Sequence, residues 1–211
     1  QFPALALLVS GGHTELVLMR EYGKYKIIGE TLDDAAGEAF DKVARILGLS
    51  YPGGPEISRL AEKGNPEKYR MPSPMINTKD YNFSFSGLKT ASFYLVRNLL
   101  GNPVSNLETG FPSHVAASFQ KAVVDVLVKK TIRAAKEYNV KTVLLGGGVA
   151  ANKHLQKELG RIVEKECPNS KFYIPDSNLT GDNALMIACA AYITGKKRAR
   201  RDVRADANAR V

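Results

Sequence analysis

Gly146, Gly147 and Gly148 stand between a short apolar run, residues 141–145, and a segment in which Leu155, Leu159 and Ile162 recur at helical spacing. A buried strand that turns through glycines into an amphipathic helix belongs to a layered α/β fold. The glycines free the backbone to reach positive φ and to press against a ligand with no Cβ between them. The N–H groups at the start of the helix suit a phosphate. No Gly-Lys-Ser/Thr follows, so the loop is not of the Walker A type, and its spacing is not that of G-x-G-x-x-G. If the loop serves a nucleotide, Gly147→Val is expected to remove most of the affinity and leave the fold intact.

A second glycine loop, Ser10-Gly11-Gly12-His13-Thr14, joins two strand-like runs at 4–9 and 15–19, and a third strand is predicted at 25–28. Taken alone this loop reads as a hairpin turn; two glycine loops in one chain favour a ligand. Helices are predicted over 37–47, 57–61, 88–100 and 113–138, the last with Ser113 as N-cap, then over 152–166. Pro52 and Pro55 are read as a rigid turn that ends the first of them. Strands are predicted at 141–145 and 171–174, and a nearly all-apolar, buried helix at 182–193. Three strands and a helix followed by alternating helices and strands give a mixed α/β sheet, predicted with helices on both faces. This is the lobe topology of the actin, Hsp70 and sugar-kinase group, whose glycine loops grip phosphates between two lobes.

The chain has 211 residues, enough for one sizeable core, and no apolar run approaches the ~20 residues of a membrane span. The start at Gln1-Phe2-Pro3, without Met or a basic leader, is expected to lie within a longer protein. Two cysteines without a C-x-x-C unit speak against a disulfide framework and for a reducing cytoplasmic setting, with Cys189 read as a small core residue. The net charge is +9, of which +5 falls in residues 196–211, leaving +4 for the rest. Residues 1–195 therefore read as the globular lobe and 196–211 as a disordered basic tail, equally suited to solvent or to nucleic acid.

Asp33, Asp34, Glu38 and Asp41 cluster at the start of the helix predicted over 37–47. Three of these suit capping and the helix dipole. Asp41 sits a turn further in beside Phe40, where either a polar ligand or solvent accounts for it. Asp182 opens the apolar helix, where a first-turn acid and a metal ligand are both open readings. His13, His114 and His154 are the only histidines, with no H-x-x-x-H pair and no G-x-S-x-G elbow, so a complete transition-metal site and a Ser-His-Asp triad are both discounted.

Six segments in order now carry a family resemblance: Leu7-Leu8-Val9-Ser10-Gly11-Gly12-His13-Thr14, Asp33 through Lys42, Tyr51-Pro52-Gly53-Gly54-Pro55, Phe83-Ser84-Phe85-Ser86-Gly87-Leu88-Lys89-Thr90, Gly146 through Asn152, and Asp182-Asn183-Ala184. Over about residues 4–195 the chain closely resembles the TsaD family, the tRNA adenosine threonylcarbamoyltransferases, in their bacterial form. The resemblance implies an actin-like, ribonuclease H-like lobe of a two-lobed enzyme. That enzyme moves a threonylcarbamoyl group from its adenylate to the exocyclic amine of the adenosine 3′ of the tRNA anticodon.

It further implies that Leu8, Val9, Ser10, Gly11 and Gly12, with His13, face the phosphate and acyl end of threonylcarbamoyl-adenylate or ATP. Asp41 and Gly54 would contact the nucleotide, and Asn152 would close the site. Asp182 would be one ligand of a divalent metal, iron or zinc. The other ligands, an upstream histidine pair, are missing from this chain, so the chain alone is expected to be inactive. The family works with tRNA and with TsaB-like and TsaE-like subunits, in the cytoplasm and without a membrane. Two other classes stay open: an actin-like ATP-binding module or small-molecule kinase, and a metalloprotease, against which the missing histidines weigh most.

Overall fold

The computed structural model describes residues 1–101, 110–176, 179–180 and 183–195. The basic tail and Asp182 lie outside the described residues. Five strands form one mixed sheet in the order β3-β2-β1-β4-β5. They are β1 (Ala4–Val9), β2 (Thr14–Glu21), β3 (Lys24–Glu30), β4 (Thr142–Gly146) and β5 (Lys171–Tyr173). β1 is antiparallel to β2 and parallel to β4, so the two glycine loops leave neighbouring strands at the same end of the sheet.

The run Ala-Leu-Ala-Leu-Leu-Val of β1 is apolar throughout, but the structure treats its faces differently. Leu5, Leu7 and Val9, with Leu16, Leu18, Val143 and Leu145, enter one core with helices α1 (Ala36–Ile46), α2 (Gly53–Ala61), α3 (Ser86–Leu100), α4 (Phe111–Glu137) and α5 (Lys153–Glu166). On the opposite face Leu8, Met19, Tyr25 and Tyr173 border an open apolar groove. The helices that share the core thus lie on one face of the sheet, not on both as predicted. Small alanines alternating with leucines mark the difference.

Helix starts differ from the sequence reading for local reasons. α2 begins at Gly53, and Pro55 falls in its first turn, where a missing N–H breaks no helical bond. α4 begins after Gly110 at φ +90 with Pro112 in its first turn, so Ser113 is inside the helix and is not its N-cap. The last helix, α6 (Ala184–Thr194), was predicted to be buried. Instead Ile187 is 63% and Tyr192 88% exposed, and Cys189 is exposed with them. Apolar composition states that a helix needs cover, and the described residues supply none.

Asp33 and Asp34 do not cap α1 with their side chains. Its first N–H groups are taken by the glycine loop: Ala36 N donates to Thr14 Oγ1 at 2.9 Å and Gly37 N to the Ser10 carbonyl at 3.1 Å. Asp33 instead caps α3 from a distance, accepting from Phe85 N (2.8 Å), Ser86 N (3.3 Å) and the Ser84 and Ser86 hydroxyls (2.6 and 2.7 Å). Asp34 and Glu38 both pair with Lys42.

Partial burial raises the Asp33 pKa, but the four hydrogen bonds outweigh it and hold the carboxyl below 3.8. A depressed carboxylate stabilises the fold above its unfolded pKa, and that stabilisation is lost as pH falls through the folded value. Asp33→Ala is therefore expected to cost about 1–2 kcal/mol at neutral pH, with the gap from wild type closing in acid. Urea melts at pH 7 and near pH 3 check both parts.

Further down α4, fully buried Lys130 donates to Thr78 Oγ1 (2.9 Å), the Asp80 carbonyl (3.2 Å) and Asp80 Oδ1 (3.3 Å). Burial lowers its pKa, against the pull of Asp80. This contact fastens the irregular 75–82 segment, which leads into the Asp33 cap, to the longest helix.

Candidate functional site

A cavity of about 420 Å³ opens where the two glycine loops meet the helix layer. Gly11 enters it from the first loop, and Gly148, Val149, Ala151 and Asn152 from the second. Phe40 and Asp41 come from α1, Pro52, Gly54, Pro55, Ser58 and Arg59 from the α2 region, and Gln120 from α4. A Cβ built on Gly11, Gly54 or Gly148 would meet nothing within 4 Å, so these three positions face open space. Two other glycines hold the site together. At Gly37 a Cβ would lie 2.6 Å from the Ser10 carbonyl oxygen, and at Gly147, with φ +89, it would lie 2.3 Å from that of Val9. Gly147 is a packing residue, and the expectation that valine there would leave the fold intact is overturned.

Of residues 8–12, only Gly11 borders the cavity with its own atoms. Leu8 points to the opposite face of the sheet, and Val9 is buried in the core. Ser10 shapes the loop, its Oγ accepting from Gly12 N (3.3 Å) and His13 N (3.0 Å). His13 is exposed beside the cavity, not among its lining residues.

Asp41 and Gly54 both line the cavity, across the junction of α1 and α2. Asp41 Oδ1 accepts from Gly53 N at 2.7 Å, closing the start of α2. Asn152 is the N-cap of α5: its Oδ1 accepts from Leu155 N at 2.9 Å, while Nδ2 donates to Ser58 Oγ (2.9 Å) and Gln120 Oε1 (2.8 Å). Ser58 in turn donates to the Gly54 carbonyl at 2.9 Å. This chain of bonds ties α2, α4 and the second glycine loop into one wall.

Sequence reasoning missed Ser58, Arg59, Gln120, Lys153 and His154. Gln120 carried a readable signal, since it follows core Phe119 in a helix that is otherwise apolar on that side. Ser58 and Arg59 carried none beyond lying one turn after Gly54. Among the described residues no three His, Cys, Asp or Glu come together to hold a metal. The described part of the metal expectation therefore has no ligand set of its own.

The cavity is concave, largely apolar and edged by a few polar groups, the general form of a small-molecule site. Two solved HypF structures share the fold. That of full-length HypF in the phosphate- and nucleotide-bound form gives a TM-score of 0.62 at 14% identity, covering 92% of this chain and 33% of that one. HypF of T. kodakarensis gives 0.55 at 19% identity, covering 84% and 22%. Identities this low speak for the fold alone.

Sequence relatives reach further. The tRNA N6-adenosine threonylcarbamoyltransferase of Bacillus subtilis is 55% identical over 199 residues, 93% of this chain and 55% of the relative. The protein of the same name from Thermosipho africanus is 52% identical over 195 residues, 92% and 57%. That of Geobacillus thermodenitrificans is 53% identical over 208 residues, 99% and 59%. This chain thus spans somewhat over half the length of these relatives. With the TsaD family model, tRNA N6-adenosine threonylcarbamoyltransferase, matching residues 1–189 as well, the chain belongs to that family.

Proposed function

We propose that the cavity binds the nucleotide end of threonylcarbamoyl-adenylate, and that the intact protein transfers the threonylcarbamoyl group to the N6 amine of the adenosine beside the tRNA anticodon. The observation that carries this reading is the cavity itself. In a chain of this family, both glycine loops, Asp41, Gly54 and Asn152 converge on one apolar recess. The adenylate is a mixed anhydride, so the protein needs no nucleophile of its own. The adenosine amine attacks the carbonyl carbon, the C–N bond forms, and the C–O bond to phosphate breaks. AMP leaves, and the proton of the amine passes to water. The residues here would hold the AMP portion in place, exclude water along the apolar wall, and leave the carbonyl facing the amine.

The same reading includes tRNA, TsaB-like and TsaE-like subunits, and a cytoplasmic setting where tRNA is processed. No helix among the described residues is long and apolar enough to cross a membrane. It also includes a divalent cation, iron or zinc, with Asp182 as one ligand; when bound, such an ion would polarise the carbonyl.

Gly54→Val tests the reading, because Gly54 lines the cavity and a Cβ there meets nothing within 4 Å. In the intact protein with its partner subunits, formation of threonylcarbamoyladenosine is expected to fall tenfold or more, about 1.4 kcal/mol, at an unchanged melting temperature. Modification at the wild-type rate would count against the cavity. Phosphorylation of a small molecule by ATP, without modified adenosine, would restore the kinase alternative.

A further inference from the structure

The hydrogen-bond network around Asn152 assigns a role to Gln120 that its place in a helix would not suggest. Asn152 Oδ1 is held by the backbone N–H of Leu155 at 2.9 Å, which fixes which end of that amide is oxygen. The nitrogen end therefore faces Ser58 and Gln120. Ser58 has given its hydroxyl proton to the Gly54 carbonyl, so it can only accept from Asn152. The Gln120 atom bonded to Asn152 must then be its oxygen, and the NH2 group of Gln120 is the end left over.

That NH2 group has no hydrogen-bond partner among the described residues. Gln120 is only 8% exposed, and it lines the cavity. Its nitrogen is not sealed in protein either: among the described residues the fully buried side-chain atoms without a partner are Asp34 Oδ2 and Arg133 Nε. A donor on a mostly buried side chain that lines a cavity has a cost until something accepts from it. The polar ends of Asn152 and Ser58 are already engaged, with Leu155 N, Gln120 Oε1, the Gly54 carbonyl and each other.

We propose that Gln120 Nε2 donates a hydrogen bond to a ring nitrogen of the adenine base, making Gln120 a specificity-determining residue of the site. The inference rests on the nucleotide reading given above. Adenine suits the arrangement because its ring nitrogens are acceptors, and the neighbouring wall of Phe40, Pro52, Pro55 and Val149 offers an apolar surface for a flat ring. With its oxygen engaged by Asn152, the hydrogen-bonding group that Gln120 leaves unused is its amide donor.

Gln120→Glu separates this role from a structural one. Glutamate keeps an oxygen for Asn152 Nδ2, so the network and the melting temperature are expected to survive, but it replaces the donor with an acceptor. In the intact protein, titration with AMP is expected to show binding weakened tenfold or more. Gln120→Leu removes both ends, and its loss of AMP affinity should come with a lower melting temperature. Titration of wild type with 1-deaza, 3-deaza and 7-deaza AMP, each lacking one ring acceptor, identifies the partner atom. One analogue should bind wild type as weakly as AMP binds Gln120→Glu, and should lose nothing further in that variant. Equal AMP affinity in wild type and Gln120→Glu, or equal binding of AMP and all three analogues by wild type, would overturn the role of Gln120 and leave the nucleotide site standing. A wild type that binds no AMP would remove both.

Discussion

Gly147→Val is expected to cost the fold roughly 3 kcal/mol or more, the sum of a strained positive φ and a close contact. Valine is among the residues least able to adopt φ +89, and its Cβ would lie 2.3 Å from the carbonyl oxygen of Val9, at the end of the neighbouring strand. Relief would require β1 and β4 to part where the two glycine loops leave the sheet. Against a total stability of ~5–15 kcal/mol, such a loss leaves a marginal protein. Chemical denaturation should show it directly, as a fall in midpoint with loss of the native signal at moderate urea. Gly148→Val is the matched control: one residue on, a Cβ meets nothing within 4 Å, and the position lines the cavity. It should keep the wild-type midpoint and lose nucleotide affinity. If Gly147→Val melts with wild type, the contact between the loops is not as described.

Asp41 should separate into two roles when its substitutions are compared. Its Oδ1 closes the start of α2 through Gly53 N, and Oδ2 has no partner among the described residues, on a side chain that borders the cavity. Asn replaces Asp as a cap at almost no cost, whereas Ala loses about 1–2 kcal/mol. Asp41→Asn is therefore expected to melt within ~0.5 kcal/mol of wild type yet bind nucleotide about tenfold more weakly, having lost the charged acceptor. Asp41→Ala should show both losses. Melting curves and calorimetric titration of the two variants decide the matter. Wild-type affinity in Asp41→Asn would leave Asp41 with the cap alone.

The candidate site was legible where chemistry sits in the backbone. Gly11 and Gly148 could be read because glycines clustered at strand ends have few other uses, and Asp41 because a carboxylate beside core Phe40 needs a reason. Leu8 and Val9 show the limit of motif reading: within one run, one side chain enters the core and its neighbour the opposite face of the sheet. Alternation along a strand is certain from the period of two, but which face meets the helices is not. Ser58 and Gln120 lie 62 residues apart in the chain and share Asn152 only through packing. No local signal states such a meeting.

Periodicity and turn chemistry by themselves determined most elements of this protein, from the opening three strands to the amphipathic helices and the two glycine junctions. Those are local properties, set by side-chain spacing and by the φ range each residue allows. Tertiary structure alone decided the rest. It placed β4 beside β1, so that Gly11 and Gly148, 137 residues apart, meet at one cavity. It turned Asp33 from the cap of the helix next to it into the cap of α3, 52 residues on, while the nearer N–H groups are taken by Thr14 and Ser10. It left α6 exposed although its composition is that of a buried helix. Hydrogen-bond partners and burial depend on which groups the whole fold brings within reach of one another, and nearness in the chain does not state that.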